Sequence, residues 1–326
     1  MFEVHKVCGM SSPHRAALRL VPDPAPGATP RTLGAVEVLP GLVRAALMDM
    51  SGAVLRRGEA EFAPGDAAGD SAAVDAALRA AAAPCFVDGA PLGIGVAAAG
   101  LVDADAGLII EVNDAPALRG YPVRERLARF GAPVHVEHRA RLQVLGDRWF
   151  GPGRGRSDFA SVSTGEVLGV GILLGGEVLA PPGGRSGAHM TVAGPDRVCT
   201  CGARGCWKTV ATTRWLRERV AGTGLPATLA GLAASTDPDA AAVVDEYAGN
   251  LALGLLNIQQ LFAPGLFVLH GEARDGGEGF RERVVQRLRA ASSWSPAAEP
   301  PAVVVSSTVV DDIALLGGAG LVLSAR

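Results

Sequence analysis

The chain is short of several features that define whole classes of protein. It has 5 cysteines in 326 residues, three of them clustered, which argues against a disulfide framework and for a reducing cytoplasm. No apolar run approaches the roughly 18 residues that span a bilayer, so no membrane association is expected. The first residues, Met1-Phe-Glu-Val-His-Lys6, lack a positive region followed by an apolar core, and no secretory signal is expected. Charge of one sign is not in excess either. The net charge of −3 gives no electrostatic handle for nucleic acid. No repeat of short fixed period is visible. What is there is core-forming material, 48% hydrophobic and 19% charged, in a chain long enough for two domains.

Residues 1–33 hold Pro13, Pro22, Pro24, Pro26 and Pro30 and no sustained apolar period, which predicts an extended lead-in. Thereafter strand and helix patterns alternate. Val43–Leu47 and Val54-Leu-Arg-Arg57 flank Asp49-Met-Ser-Gly52, a hairpin with Gly52 at its turn. Ser71–Ala83 is alanine-rich and predicts a helix, and Leu92–Ala99 reads as a buried strand stopped by Gly100. Val123–Phe130 reads as a helix, and Val134-His-Val136 as a strand before a second helix ending at Trp149. Gly151–Arg156 is a glycine-rich loop and the expected domain boundary. Further strands are expected at Phe159–Ser163, Gly169–Leu174, Leu266–Leu269 and Ala302–Ser306. Helices are expected at Trp207–Val220, Ala240–Leu261, Gly279–Ala291 and Ile313–Ser324. Such alternation predicts an α/β protein.

The strongest chemical signal is a run from His189 to Cys206 that brings together His189, Cys199, Cys201 and Cys206. Three thiolates and a neutral imidazole complete a tetrahedral zinc site. Gly202 and Gly205 allow the tight turns the ligands need. All four positions come from protein, which predicts a structural ion, not a catalytic one. Cys8 and Cys85 stand apart and are expected to be incidental.

Gly93–Gly100 followed by Leu-Val-Asp103, then Ala115-Pro-Ala-Leu-Arg-Gly-Tyr121, then Gly165-Glu-Val-Leu-Gly169-Val-Gly171, and the His…Cys-x-Cys-Gly-x-x-Gly-Cys knuckle are similar to motifs of the ROK family. That family groups bacterial sugar kinases with repressors that share their fold. The resemblance runs over about residues 34–326. It implies an actin-like ATPase (ribonuclease H-like) fold: a small α/β domain of residues 34–150 plus 311–326, a larger one of 151–310 carrying the knuckle, and a cleft between them. It also implies a homodimer, and a contact from His189 to a sugar hydroxyl. Ser12–Pro22 resembles the linker that joins the family's winged helix to its sensor domain. The thirty-odd residues before the resemblance are too few for that winged helix, so direct nucleic-acid contact is not expected from this chain.

Against the family pattern, the departures are chemical. Family kinases carry Glu-Asn-Asp-Ala-Asn, whose Asp takes the proton from the sugar hydroxyl; the matching run here is Glu137-His138-Arg139-Ala140-Arg141. Arg139 stays protonated and has no acceptor lone pair, so it cannot be that base. Strand alternation puts Glu137 on the same side and predicts that it neutralises Arg139. Glu-x-Gly-His becomes Ser186-Gly-Ala-His189, Gly-Cys-x-Glu becomes Gly205-Cys-Trp-Lys208, and Ala117 replaces an asparagine. The phosphate hairpin Asp-x-Gly-Gly-Thr becomes Glu37-Val-Leu39-Pro40-Gly41, in which Leu39 adds a Cβ and Pro40 removes a donor. The second phosphate loop keeps Gly165, Gly169 and Gly171 but gains Glu166 and Val167, and the adenine-side Gly-Gly reads His270-Gly271.

Together these changes predict that ATP is not bound. The expected ligand pocket comprises Gly100, Ala117, Glu137, His138, Arg139, Ser186, His189 and Lys208, with His138, Arg139 and Lys208 supplying positive charge for a sugar phosphate or small acid. The expected function is a regulator-type sugar or metabolite sensor without catalysis. Two alternatives stand beside it. One is an ATP-dependent, glucokinase-like sugar kinase in which Glu137 or His138 acts as an unusual base. The other is a partner-binding module whose cleft is empty.

Overall fold

Three antiparallel strands open the fold: β1 (Leu33–Leu39), β2 (Leu42–Met48) and β3 (Val54–Glu61). The computed structural model describes residues 31–63, 71–113, 115–181, 187–291, 300–308 and 310–325, and Arg31–Arg326 form one unit. The expected lead-in of residues 1–33 lies outside the described residues up to Pro30, and β1 begins at Leu33. At the β2–β3 turn Asp49 Oδ1 accepts from the Ser51 and Ala53 N–H groups, and Gly52 takes φ +85°, as the expected hairpin requires.

After β3 come α1 (Ala72–Phe86), β4 (Ile94–Ala98), the small hairpin β5 (Leu101–Asp103) and β6 (Leu108–Glu111), α2 (Val123–Leu127) and β7 (Val134–His138). β4 joins β1 in parallel and β7 joins β4 in parallel, giving the order β3-β2-β1-β4-β7. Next is α3 (Arg139–Phe150), and then the pattern repeats. β8 (Phe159–Thr164), β9 (Gly169–Leu174) and β10 (Glu177–Val178) are antiparallel. They precede α4 (Thr213–Val220), α5 (Leu229–Ala234), α6 (Pro238–Phe262), β11 (Leu266–Gly271), α7 (Gly277–Ala291), β12 (Ala302–Val305) and α8 (Val310–Ser324). The second sheet runs β10-β9-β8-β11-β12, with β11 parallel to both β8 and β12. Strand for strand the two sheets have the same connectivity. This duplicated α/β topology is the actin-like ATPase, ribonuclease H-like fold.

The helix expected over Trp207–Val220 is broken. A 3-10 turn covers Trp207–Thr209 and α4 starts at Thr213. The cause is Trp207: its indole is fully buried against Gly254 of α6 and donates to the Asn250 carbonyl at 2.9 Å. A regular helix from that point would lift the ring out of its slot.

The two halves are tied by helices α3 and α8. Helix α3 follows the last strand of the first sheet but packs on β9 and β8 of the second; α8 follows the second sheet but packs on β1 and β4 of the first. The two helices also pack on each other. Glycine makes this approach close enough: a Cβ on Gly317 would collide with the Leu142 carbonyl, and one on Gly320 would lie 2.8 Å from the Leu145 carbonyl. No helix is long and apolar enough to cross a membrane among the described residues.

Backbone cannot yield at that crossing, so Gly317→Ala should destabilise the fold by about 1–3 kcal/mol in urea unfolding. The matched change Gly279→Ala, where a Cβ meets nothing within 4 Å, should be neutral or stabilising.

Candidate functional site

The carboxyl ends of the parallel strands of the first sheet open into a cavity of about 580 Å³, the place where open α/β sheets bind ligands. Leu39 and Pro40 reach it from the end of β1, Ala99 and Gly100 from β4, and Glu137 to Arg141 from the junction of β7 and α3. Val167, Leu168 and Gly169 enter from the loop before β9, and His189 and Lys208 from the knuckle region. Gly100 is required by its backbone, with φ +80° and no room for a Cβ beside the Glu111 carbonyl. The structure thus brings together Gly100, Glu137, His138, Arg139, Gly169, His189 and Lys208.

Arg139 is the first residue of α3, and its partner is not the one alternation predicts. Its Nε donates to Glu37 Oε1 at 2.6 Å, while Glu137 pairs with Arg141 at 3.3 Å and accepts from the His138 N–H. The geometric reason is that β7 ends at His138, so Arg139 leaves on the helix and swings toward β1. Glu37 is fully buried in that central strand, and Arg44 on β2 stands 3.6 Å from its other oxygen. A guanidinium at a helix N-terminus opposes the dipole; a buried carboxylate beside it offsets that cost.

His138 does not contribute positive charge. Burial first, then the Arg141, Arg139 and His189 charges, bring its pKa down to about 4. The neutral ring instead caps α3, with Nδ1 accepting from the Ala140 N–H at 3.2 Å. The positive groups of the cavity are therefore Arg139, Arg141 and Lys208. Arg141 belongs to the motif run, and the sequence gives no sign that it lines the pocket; a helical turn carries it there.

Other expected residues lie elsewhere. Ala117 does not line the cavity, because its 3-10 turn packs against β6 and buries it in the hydrophobic core cluster that also holds Leu118 and Val123. Ser186 lies outside the described residues. Of the loop glycines, only Gly169 lines the cavity. Gly169 and Gly171 are demanded by α3: a Cβ would come 2.8 Å from Ala140 Cβ and 2.7 Å from the Ala140 carbonyl, respectively. Gly165 has φ +128° and its carbonyl accepts from the Thr213 N–H at 3.0 Å. Glu166 turns to Arg217, whose hydrogen bond holds the pKa of its carboxyl at about 2. His270 is fully buried with Nε2 2.7 Å from Asp147 Oδ2 on α3, and it does not line the cavity.

The knuckle forms as expected. The ligand atoms of His189, Cys199, Cys201 and Cys206 all lie within 4.8 Å of one another. The Cys201 and Cys206 sulfurs are 3.8 Å apart, matching the edge of about 3.8 Å that a tetrahedron with bonds of about 2.3 Å has. Gly202 at φ +85° and Gly205 at φ +73° make the turns, and a Cβ on Gly205 would strike the Ala193 carbonyl. Burial, then the neighbouring thiols, push Cys206 up to about 12; the four side chains are a set that could hold a metal ion. His189 faces both this cluster and the cavity.

Two sheets of ribonuclease H-like connectivity, a cavity at the strand ends of the first and a knuckle of one histidine and three cysteines together describe a protein with the sugar-kinase fold. The ROK family model matches residues 73–325, and the chain belongs to the ROK family. It is 29% identical over 257 residues to the glucokinase of Thermotoga maritima, covering 70% of this chain and 78% of that one. It is also 26% identical over 215 residues to the xylose repressor of Caldicellulosiruptor bescii, covering 59% of this chain and 53% of the repressor, about half its length. A solved ROK family transcriptional regulator, a homolog of the E. coli MLC protein, has the same fold, with a TM-score of 0.75 and 21% identity over 90% of this chain and 78% of that one.

If Glu37 and Arg139 act as a pair, Arg139→Gln should cost about 3 kcal/mol in chemical denaturation. The double variant Glu37→Gln/Arg139→Gln should cost measurably less than the sum of the two single changes, the double-mutant-cycle signature of a direct pair.

Proposed function

We propose that this chain is a non-catalytic ROK protein that senses a sugar or small metabolite in its cleft. The observation that carries the reading is Arg139 at the base position, held by the buried carboxylate of Glu37. General-base catalysis contributes roughly 10²–10⁴ in rate, and this cation cannot supply it. Leu39 and Pro40 supply side-chain bulk and one fewer N–H where the family hairpin approaches phosphate. Glu166, engaged by Arg217, adds negative charge to the second loop. These features speak against ATP as a ligand.

Likeness to a xylose repressor fits a sensor; the higher identity to a glucokinase is what favours the second reading, a kinase with Glu137 as base. Glu137 is half-buried on the cavity wall but is engaged by Arg141 and the His138 N–H. We take the knuckle ion to be zinc, in a structural role, because three sulfurs and one imidazole nitrogen suit zinc and leave no open coordination position. A homodimer in the cytoplasm completes the proposal; the Ser12–Pro22 linker reading lies outside the described residues.

Coupled assays with ATP and glucose, mannose or N-acetylglucosamine should show no phosphoryl transfer above background. Turnover that Glu137→Gln abolishes would establish the kinase instead. Metal analysis should find about one zinc per chain. Cys201→Ser should lose the ion and lower the melting temperature, whereas Cys85→Ala, at a buried thiol on α1 outside the cluster, should keep the ion.

A further inference from the structure

Within the reading of the cleft as a binding site, we propose that it takes a small hydroxylated molecule bearing one anionic group, a carboxylate or a phosphate ester, with the Lys208 ammonium as counter-ion. Lys208 is half-buried on the cavity wall, and its ammonium donates to Thr200 Oγ1 at 3.4 Å. Among the described residues it makes no ion pair. Its remaining donors can therefore be taken up by an anion that enters the cavity, in a charge-assisted contact.

The nearby carboxylates do not serve it. Glu137 is taken by Arg141, Glu111 pairs with Arg119 at 2.9 Å, and Asp103 accepts from the Ala106 N–H at 2.9 Å. Asp105 stands exposed on the β5–β6 turn. Nor can the backbone that carries Lys208 drift away. The preceding Trp207 is fully buried and hydrogen-bonded to Asn250, and Cys206 belongs to the metal cluster. The ammonium is thus presented from a rigid support, the condition for a strong charge-assisted contact. Lysine offers three donors and no acceptor, so it suits an anion better than a neutral sugar, whose hydroxyls also need acceptors. Acceptors for the rest of the molecule are supplied by Asp103 and Asn113 around the same cavity.

The chain has two lysines, Lys6 and Lys208, against 28 arginines among its 30 basic residues, so Lys208 can be watched almost alone. Reductive methylation with ¹³C-formaldehyde keeps the charge and labels both lysines and the terminal amine; the Lys208 signal is the one absent from Lys208→Gln. Titration with D-glucuronate, glucose 6-phosphate and D-glucose should move that signal saturably for at least one acid and not for glucose. Which acid moves it separates the carboxylate source from the phosphate source. Calorimetry on unmethylated protein should show at least tenfold weaker binding of that acid to Lys208→Gln. The proposal fails if neither acid binds, if glucose binds as tightly, or if Lys208→Gln binds as the parent does. None of those outcomes affects the absence of phosphoryl transfer, and turnover with ATP would sink the non-catalytic reading while leaving the anion preference intact.

Discussion

The ion pair between Glu37 and Arg139 is the constraint on which the cleft depends. It joins the central strand of the first sheet to the first turn of α3, the helix that crosses to the second sheet. A buried carboxylate at position 37 requires a cation, and Arg44 approaches it only to 3.6 Å. Arg139 supplies the closer contact at 2.6 Å and in doing so fills the floor of the cavity. Two charged residues far apart in the sequence are therefore two ends of one interaction. Without Arg139 the buried Glu37 carboxylate would be left with only the longer contact to Arg44.

This coupling explains which parts of the protein are legible in its sequence. Strand β9 matches its expected bounds because Gly169–Leu174 is an uninterrupted apolar run, and α6 follows from its long alternation of small and apolar residues. Strand β1 is hidden from such a reading: Glu37 interrupts an otherwise apolar stretch, and the closer of the two cations that answer its charge, Arg139, lies 102 positions away. Local periodicity carries no trace of such a partner. The hairpin β5–β6 escapes for another reason, since 3 and 4 residues are too few to show alternation.

The site divides in the same way. The candidate metal cluster is readable because its four side chains fall within one short run of sequence and their chemistry is distinctive. Ala117 shows that a motif position need not be a pocket position; the 3-10 turn that carries it faces the core. Gly169 and Gly171 have the look of a phosphate loop, yet the space they leave is filled by α3. Small residues in a glycine-rich loop report close approach, and only the structure shows what approaches. Residue type alone makes His138 a cation, whereas burial among arginines keeps its ring neutral and makes it a helix cap.

Kinases and repressors share this family's fold, so the cleft chemistry decides between them. The measurement that bears most directly on it is a calorimetric titration of the metal-loaded protein with magnesium ATP. A cleft lined by Arg139 in its pair with Glu37, and by Leu39 and Pro40 at the end of β1, predicts no saturable heat. Saturable one-to-one binding of the nucleotide would contradict the account.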